Sequence, residues 1–223
     1  MSVPKNAHRR RRTRRCASVR TTFALQGADK GTPNAWDARK KDLVTLLGKL
    51  ELDAFGAQEV RRNQARYIKK YLPGFAYVGD FRNKDRKGGE ASPVFYRKDR
   101  LEAEKSGTFW LSKTPDVPGS KGWDARYPRI CTWVRFWREK EVLAVEALKF
   151  PREYRNPPRV GSPNYGKVEV KMYCGQYHCG PRIDFIYVSP GVTVKSYATH
   201  ADPRPGMEYY PSDHFPVTAD IEL

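Results

Sequence analysis

An aspartate and a histidine stand side by side near the end of this chain, directly before an apolar run. Asp213 and His214 belong to the segment "YPSDHFPVTADIEL", in which apolar and polar residues alternate from Phe215 onward with the period of a half-buried strand. A histidine beside a carboxylate is suited to general-base chemistry, and loops at strand ends are where such groups are held. Proline, serine and aspartate are also common turn residues, so these residues taken alone favour a simple turn.

Two further carboxylates occupy similar positions in the sequence. Glu59 ends the short apolar strand predicted from "AFGAQEV", and Asp184 lies within "RIDFIY". Because each falls at or near a strand end, both could meet Asp213 and His214 at one rim of a sandwich. Carboxylate oxygens suit Mg²⁺ or Mn²⁺, and a histidine oriented by an aspartate suits the activation of water. The set predicts metal-assisted hydrolysis of a phosphate ester.

A second candidate metal site has much weaker support. Cys174 and Cys179 flank "GQYH", so that His178 and the two thiols could supply three ligands. Zinc sites usually carry a second, well-spaced ligand pair, and the sequence has none. Reduced structural thiols in an intracellular protein are therefore the interpretation that the sequence favours.

Composition indicates one folded domain with an anionic partner. Of the 223 residues, 39% are hydrophobic and 13% are aromatic, which is enough for a substantial core. The 42 lysines and arginines against 25 aspartates and glutamates give a net charge of +17. Nucleic acid, a phosphorylated small molecule or anionic lipid would all match that charge. No stretch approaches the length of a membrane span, and we expect a monomer.

The first 17 residues form a candidate flexible arm. The run "HRRRRTRR" opens like a secretory signal, but no unbroken apolar segment follows it, so the sequence favours an intracellular location. Such an arm suits a nuclear-type address or a nucleic-acid tether, although a solvated tail without a role fits equally well. The expected boundaries are therefore residues 1–17 for the arm and 18–223 for the folded domain.

Two helices near the start and many strands afterwards predict an α+β layered sandwich. Alternation predicts a first strand over residues 18–25, and the apolar spacing in "PNAWDARKKDLVTLLGKLELD" predicts a helix capped by Asn34. A second helix covers "RNQARYIKKYL" and ends at Pro73. The later strands are predicted in "FAYVGDF", "SPVFYRK", "LEAEKSGTFWL", "ICTWVRFW", "EVLAVEALKF", "VEVKMY", "RIDFIYVS", "TVKSYATH" and "FPVTADI".

Three motifs in this order resemble the endonuclease/exonuclease/phosphatase superfamily, whose members have a deoxyribonuclease-like sandwich. They are "DAFGAQEV", "RIDFIYVSPGV" and "YPSDHFPV". The long segment "FYRKDRLEAEKSGTFWLSKTPDVPGSKGWDARYPRICTWVRF" resembles a bacterial and fungal branch of the superfamily. The resemblance runs, with gaps, from about Val19 to the C-terminus. It implies a four-layer α/β/β/α sandwich of two packed mixed sheets, and it implies that the Asp-His pair is catalytic.

The resemblance implies a role for each residue of the candidate site. Glu59 matches the superfamily's metal-binding glutamate, and Asp213 matches the aspartate beside the metal. His214 matches the histidine that activates the attacking water, and Asp184 matches the aspartate that orients this histidine. The implied cofactor is Mg²⁺ or Mn²⁺, and the implied substrate is a phosphate ester, with nucleic acid as one candidate.

Three more residues match positions near the substrate in this branch. His178, in "GQYHCGPRIDF", resembles a histidine or aromatic residue often found just before the "RID" strand. Glu90 and Arg129 match positions that are common in the branch, where they would lie near the substrate. For these two residues, a framework ion pair or hydrogen bond is the alternative that we favour.

The sequence also departs from the superfamily pattern. Ala24 stands in "TTFALQ" where an asparagine is usual, and an alanine methyl group cannot coordinate a metal or bind a phosphate oxygen. Only 31 residues separate Phe150 from Arg182, and they contain neither the Asn-x-His-x-Asp nor the Gly-Asp-x-Asn motif of the superfamily. We therefore expect a shortened central segment near residues 151–181 and a second half that is truncated or degenerate.

These features predict a divalent-metal-dependent hydrolase of phosphate esters, either a phosphodiesterase or nuclease or a phosphatase. The retained carboxylates and His214 favour that function. The missing motifs favour a catalytically impaired relative that acts as a basic polyanion- or nucleic-acid-binding protein, because each lost donor at a phosphoryl transition state costs about 3 kcal/mol. The basic composition only mildly favours nucleic acid over sugar, inositol or lipid phosphates.

Overall fold

The computed structural model describes residues 13–20, 31, 35–136, 142–145, 170–171, 177–178, 193–200 and 216–222. Within these residues, two helices come early and strands make up most of the remaining regular structure, which confirms the α+β prediction. The elements in chain order are β1 (Thr13–Arg20), α1 (Trp36–Lys49), β2 (Ala54–Gln58), α2 (Arg62–Tyr71), β3 (Phe75–Val78), β4 (Val94–Arg97), β5 (Ala103–Trp110), β6 (Ile130–Phe136), β7 (Val142–Val145), β8 (Val170–Lys171), β9 (Tyr177–His178), β10 (Thr193–Thr199) and β11 (Val217–Glu222).

The first helix, α1, forms where the leucine spacing predicts it. Leu43 and Leu47 lie four residues apart and are both buried, so one apolar stripe faces the core. The helix begins at Trp36, and its N-cap is Ala35, whose side chain makes no capping hydrogen bond. The prediction that Asn34 caps this helix is therefore wrong, because the cap position falls one residue later in the chain.

The second helix, α2, carries its own start and stop signals. The Arg61 N–H donates to Gln64 Oε1 at 2.7 Å, which satisfies one of the donors that a helix leaves free at its start. The helix ends at Tyr71, two residues before Pro73, whose ring nitrogen has no hydrogen to continue the helical bonding. Among the described helices, neither has the length and apolar character needed to cross a bilayer.

Six strands form one mixed sheet in the order β10-β11-β1-β2-β4-β3. β1 runs parallel to β2 and antiparallel to β11, and the other neighbouring strands are antiparallel. In this register, Ser18 of β1 pairs with Gly56 on one side and with Val217 on the other. Because β1 lies between β2 and β11 in this register, the last residues of β2 and the first residues of β11 lie at the same end of the sheet.

Strand β1 begins earlier than the sequence predicts. The sequence assigned residues 1–17 to a flexible arm, whereas the described strand covers Thr13–Arg20. Thr13 pairs with Glu222, so the first part of the strand comes from the expected arm. Ladder hydrogen bonds join backbone groups and need no apolar side chain, which is why the hydrophobic pattern did not reveal this part. The rest of the predicted strand over residues 18–25 lies outside the described residues beyond Arg20.

Strands β5, β6 and β7 form a separate antiparallel sheet, and β8 pairs with β9. All of these except β9 fall within strands that the sequence predicts, and β9 has only two residues, too few for a periodic pattern. The predicted shortening near residues 151–181 falls largely outside the described part of the chain.

Alternating side chains of the large sheet build two separate cores. Phe55 of β2 packs in one cluster with Leu43 of α1 and Ile68 of α2. The adjacent residue Ala54 belongs to a second cluster that includes Val134 of the smaller sheet. Successive strand residues point to opposite faces, so the helices cover one face and the second sheet covers the other. The described residues thus form three layers (helices, sheet, sheet), and a fourth, helical layer is not among them.

Candidate active site

Several strands of the large sheet begin or end at one rim, which we call the Glu59 rim. β2 and β3 end there and β4 begins there, because Val94 pairs with both Gly56 and Val78. β11 begins at the same rim, because its first residue, Val217, lies level with Gly56 across β1. Segments from both halves of the sequence therefore meet at this rim.

Glu59, the predicted metal ligand, lies directly after β2 on this rim and is half-buried. Its backbone has a φ of 55°, in the left-handed region that glutamate rarely adopts. Val60 holds the chain in this conformation, because its N–H and C=O exchange two hydrogen bonds of 2.9 Å with Ala91. A strained residue at the end of a well-paired strand is typical of a functional position.

Glu90 precedes Ala91 at the same rim and accepts hydrogen bonds from two arginines. Arg61 Nη2 donates to Glu90 Oε1 at 3.1 Å, and Arg82 Nη1 donates to Glu90 Oε2. The Arg82 N–H also donates to the Glu90 carbonyl at 2.9 Å. These contacts tie the start of α2 to the loop of residues 82–90, which we call the rim loop. The geometry is that of a framework ion pair, and a contact between Glu90 and substrate stays a prediction.

The rim loop is held in shape by acidic side chains. Asp85 Oδ1 accepts the N–H groups of Lys87 and Gly88, both at 2.9 Å. These two hydrogen bonds hold the pKa of the Asp85 carboxyl below its usual value. Arg86 Nη1 donates to Asp80 Oδ2 at 2.9 Å. The loop therefore forms a firm support for Glu90.

The second sheet lies against the rim loop. Asp80 donates its N–H to Thr108 Oγ1 at 2.9 Å, and the buried Trp110 donates its Nε1–H to the Arg82 carbonyl at 2.7 Å. Thr108 and Trp110 both belong to the last part of β5. The end of β5 and the paired start of β6 therefore lie beside the Glu59 rim.

The remaining predicted site residues are less fully described. Arg129 is exposed just before β6, and its carbonyl accepts the Leu111 N–H at 2.8 Å. His178 belongs to β9, where its backbone pairs with Val170. Outside the described residues are Ala24, Asp184, Asp213 and His214, together with the cysteines Cys174 and Cys179.

His200, which belongs to none of the sequence motifs, also lies at the Glu59 rim. It follows β10, whose last residue, Thr199, pairs with Val217. His200 Nε2 lies 2.9 Å from Thr218 Oγ1, and the His200 N–H donates to the Pro216 carbonyl at 2.8 Å. Its only signal in the sequence was a place at the end of the predicted strand "TVKSYATH". The pairing of β10 with β11 brings it to the rim.

The oxygen donors among the described residues are of the kind that binds a divalent cation, but too few of them lie together to form a complete metal site. Among the described residues, no three histidine, cysteine, aspartate or glutamate side chains lie together in a way that could hold a metal ion. The Glu59 carboxylate supplies hard oxygen donors, which Mg²⁺ and Mn²⁺ prefer. Its predicted partner, Asp213, lies outside the described residues.

Comparison with solved structures decides the family. An endonuclease/exonuclease/phosphatase family protein from Bacteroides thetaiotaomicron is similar over 96% of this chain and 99% of its own, with a TM-score of 0.80 and 25% identity. A mannosyl-6-phosphatase from the same organism is similar over 94% of this chain and 99% of its own, with a TM-score of 0.75 and 26% identity. The chain is a member of the endonuclease/exonuclease/phosphatase superfamily. No protein-family model and no curated protein matches it.

The endonuclease/exonuclease/phosphatase assignment confirms the resemblance that the three sequence motifs indicate, and with it a phosphoesterase family. A more distant structure, TDP2 from Caenorhabditis elegans, is similar over 95% of this chain and 98% of its own, with a TM-score of 0.65 and 14% identity. At that identity, the likeness extends to the fold alone.

Proposed function

We propose that this chain is a divalent-metal-dependent hydrolase of phosphate esters with a four-layer α/β/β/α fold. One observation carries the proposal: β2 ends and β11 begins at the Glu59 rim, on either side of β1. His214 precedes Val217 by three residues, so the chain can carry it no farther than about 11 Å from the start of β11. This register supports a site in which Glu59, Asp213 and His214 act together.

In the proposed mechanism, His214 takes a proton from the attacking water while Asp184 orients its ring. Glu59 and Asp213 hold Mg²⁺ or Mn²⁺, which when bound neutralises negative charge on the phosphate oxygens. Arg129 is exposed just before β6, which supports a role in donating hydrogen bonds to the phosphate over the framework role that the sequence favours. Phosphoryl transfer depends mainly on positioning and electrostatics, so these few side chains suffice to define the reaction class.

Two further residues complete the proposed site. His178 contacts the substrate, as the superfamily resemblance implies. Glu90 is a positioning residue, because its carboxylate holds Arg61 beside the metal ligand Glu59 and fixes Arg82 in the rim loop. The substrate is a phosphomonoester or phosphodiester.

A catalytically impaired, polyanion-binding relative is the second candidate, and the residue at position 24 favours it. Ala24 replaces the usual asparagine, and the Asn-x-His-x-Asp and Gly-Asp-x-Asn motifs are absent from the sequence. One lost donor at the transition state costs about 3 kcal/mol, or roughly 10²-fold in rate. We therefore expect the chain to hydrolyse phosphate esters slowly.

The test compares wild type with His214→Ala on a generic phosphodiester and on plasmid DNA, with Mn²⁺ and with EDTA. The proposal predicts slow turnover that EDTA removes and that His214→Ala abolishes. Turnover that survives in His214→Ala contradicts the assigned base. DNA binding without turnover in wild type supports the second candidate.

A gain of activity provides an independent arm of this test. Ala24→Asn is expected to raise kcat/KM by about 10²-fold, because it restores one polar group at the phosphate. Ala24→Leu, which is similar in size to asparagine but has no polar atom, is the matched control and is expected to give no increase. An equal rate in both variants would show that the missing asparagine does not limit the reaction.

A further inference from the structure

The loop of residues 111–129, which we call the Trp123 loop, joins β5 to β6 and is closely packed. Ser112 Oγ and Ser120 Oγ lie 2.8 Å apart across it. Gly119 has a φ of 80°, and a Cβ at this position would lie 3.0 Å from the backbone of Lys84. Only glycine combines this conformation with so close an approach. The Trp123 loop is therefore seated on the rim loop, beside the Glu59 rim.

This loop holds aromatic side chains in solvent. Trp123 is 78% exposed, although tryptophan side chains are on average well buried, and Tyr127 is 42% exposed. Trp123 and Asp124 also have positive φ values of 52° and 55°, where residues other than glycine are strained. A strained backbone and an exposed indole at the same residue are typical of a binding position.

Two arginines lie against the Tyr127 ring. The guanidinium of Arg82 lies 4.9 Å from the centroid of the Tyr127 ring, and that of Arg126 lies 5.3 Å from it. Arg126 and Arg129 are both exposed, and four basic residues in the loop outnumber two acidic ones. The exposed indole of Trp123 and the exposed cations of Arg126 and Arg129 therefore belong to one loop.

We propose that the Trp123 loop binds single-stranded nucleic acid, with a base stacked on Trp123 and neighbouring phosphates paired with Arg126 and Arg129. This inference rests on the proposed function and names its substrate class. Stacking on aromatic rings and a basic path for the backbone are the two components of single-strand binding. A duplex keeps its bases stacked inside and offers no free face to an indole. The net charge of +17 suits a polyanion better than a single sugar phosphate.

The test uses the full chain in EDTA, so that binding is measured without hydrolysis. A fluorescein-labelled oligothymidylate of about 12 nucleotides is titrated by anisotropy at several salt concentrations. The proteins are wild type, Trp123→Ala, Arg126→Ala and Val117→Ala. Val117 provides the control because it is 53% exposed in the same loop and carries neither a ring nor a charge.

Trp123→Ala is expected to weaken oligothymidylate binding by about 5- to 150-fold without changing the salt dependence, as the loss of one stacked base predicts. Arg126→Ala is expected to reduce the slope of log K against log salt by about 0.7 for each phosphate that it neutralises. Val117→Ala is expected to change neither quantity. Trp123→Ala is expected to bind a duplex of the same length as tightly as wild type does.

Equal affinity of Trp123→Ala and wild type for the oligothymidylate would overturn the inference. It would also be overturned if Trp123→Ala lost as much affinity for the duplex as for the oligothymidylate. Displacement of the oligonucleotide by a comparable concentration of a hexose 6-phosphate would instead assign the loop to sugar phosphates. A change from dimer to monomer in Trp123→Ala, seen by sedimentation, would assign it to a second copy of the chain. Intact binding without any hydrolysis would count against the proposed function alone.

Discussion

Glu59 adopts a left-handed backbone conformation, and the paired hydrogen bonds between Val60 and Ala91 hold it there. Such a conformation costs about 1–3 kcal/mol in a residue other than glycine, and the surrounding sheet must offset that cost. Glycine would take the same backbone shape without strain. A glutamate at this position is therefore best explained by a requirement for its carboxylate.

We expect Glu59→Gln to lose the rise in Tm that Mn²⁺ produces in wild type. A ligand that binds only the folded state raises Tm, and a neutral amide binds a divalent cation much more weakly than a carboxylate. Thermal unfolding at increasing Mn²⁺ concentration measures the effect. Glu51→Gln is the matched control, because Glu51 has a similar φ of 49° but lies after α1. An equal Mn²⁺ response in Glu59→Gln and wild type would remove Glu59 from the metal site.

Glu90 forms ion pairs with Arg61, at the start of α2, and with Arg82, in the rim loop. Because these ion pairs connect two segments of the chain, the charge of Glu90 contributes to stability. Glu90→Gln is expected to lower the free energy of unfolding by about 1–2 kcal/mol, because Arg61 and Arg82 lose a charged acceptor in a partly buried setting. Urea unfolding measures the loss, which is expected to shrink at high salt. Glu104→Gln, at an exposed position on β5, is the control and is expected to change little. Equal stabilities of the two variants would show that Glu90 is not a framework residue.

At the scale of elements, the joint between β3 and the second sheet depends on Gly79. This residue follows β3 with a φ of 124°, and a Cβ there would lie 2.9 Å from Thr132 Oγ1 and 3.2 Å from Pro93 Cα. Thr132 is buried, and its hydroxyl lies 3.3 Å from that of Thr108 on β5. The large sheet and the smaller sheet therefore meet at a point with no room for a side chain.

Gly79→Ala is expected to lower the free energy of unfolding by more than about 2 kcal/mol, because both its backbone conformation and its contacts exclude a Cβ. Gly74→Ala is the matched control, since no atom lies within 4 Å of a Cβ at that position. Its stability is expected to stay within about 1 kcal/mol of wild type. Urea unfolding of the two variants measures the difference. Similar unfolding midpoints would mean that the contact between β3 and the second sheet has room for a side chain at position 79.

At the scale of the whole molecule, positive charge is concentrated at the N-terminus. Residues 1–20 contain eight of the 42 basic residues and no acidic residue. Part of this segment is strand, because β1 begins at Thr13 and pairs with β2 and β11. The candidate arm that can be removed without cutting the sheet is therefore residues 1–12.

Deleting residues 1–12 is expected to reduce the salt dependence of DNA binding, by about 0.9 in the slope for each duplex phosphate that the arm neutralises. Replacing Arg9, Arg10, Arg11 and Arg12 by lysine keeps the charge and is expected to leave the slope unchanged. Deletion of residues 1–17 is expected to lower Tm as well, because it removes the first five residues of β1. An unchanged slope after the shorter deletion would mean that the arm binds no phosphate.

The superfamily and most elements could be predicted from the sequence because both depend on local patterns. The leucine spacing of α1 and the alternation in β4, β5, β6 and β11 determine each element within a few residues, since burial of one face requires that period. The motifs around Glu59 and His214 identified the superfamily in the same way. By contrast, β9 and the start of β1 carry no such pattern and were not predicted.

The tertiary structure decided which elements are neighbours, and thereby the backbone conformation and the contacts of individual residues. The placement of β1 between β2 and β11, the left-handed Glu59 and the arrival of His200 at the rim depend on strand pairing between distant parts of the chain. So does the double ion pair of Glu90. Such contacts form only when long loops close, and their energies depend on geometry that no local window contains. The sequence alone determined which groups are available for chemistry, and the fold decided which of them meet.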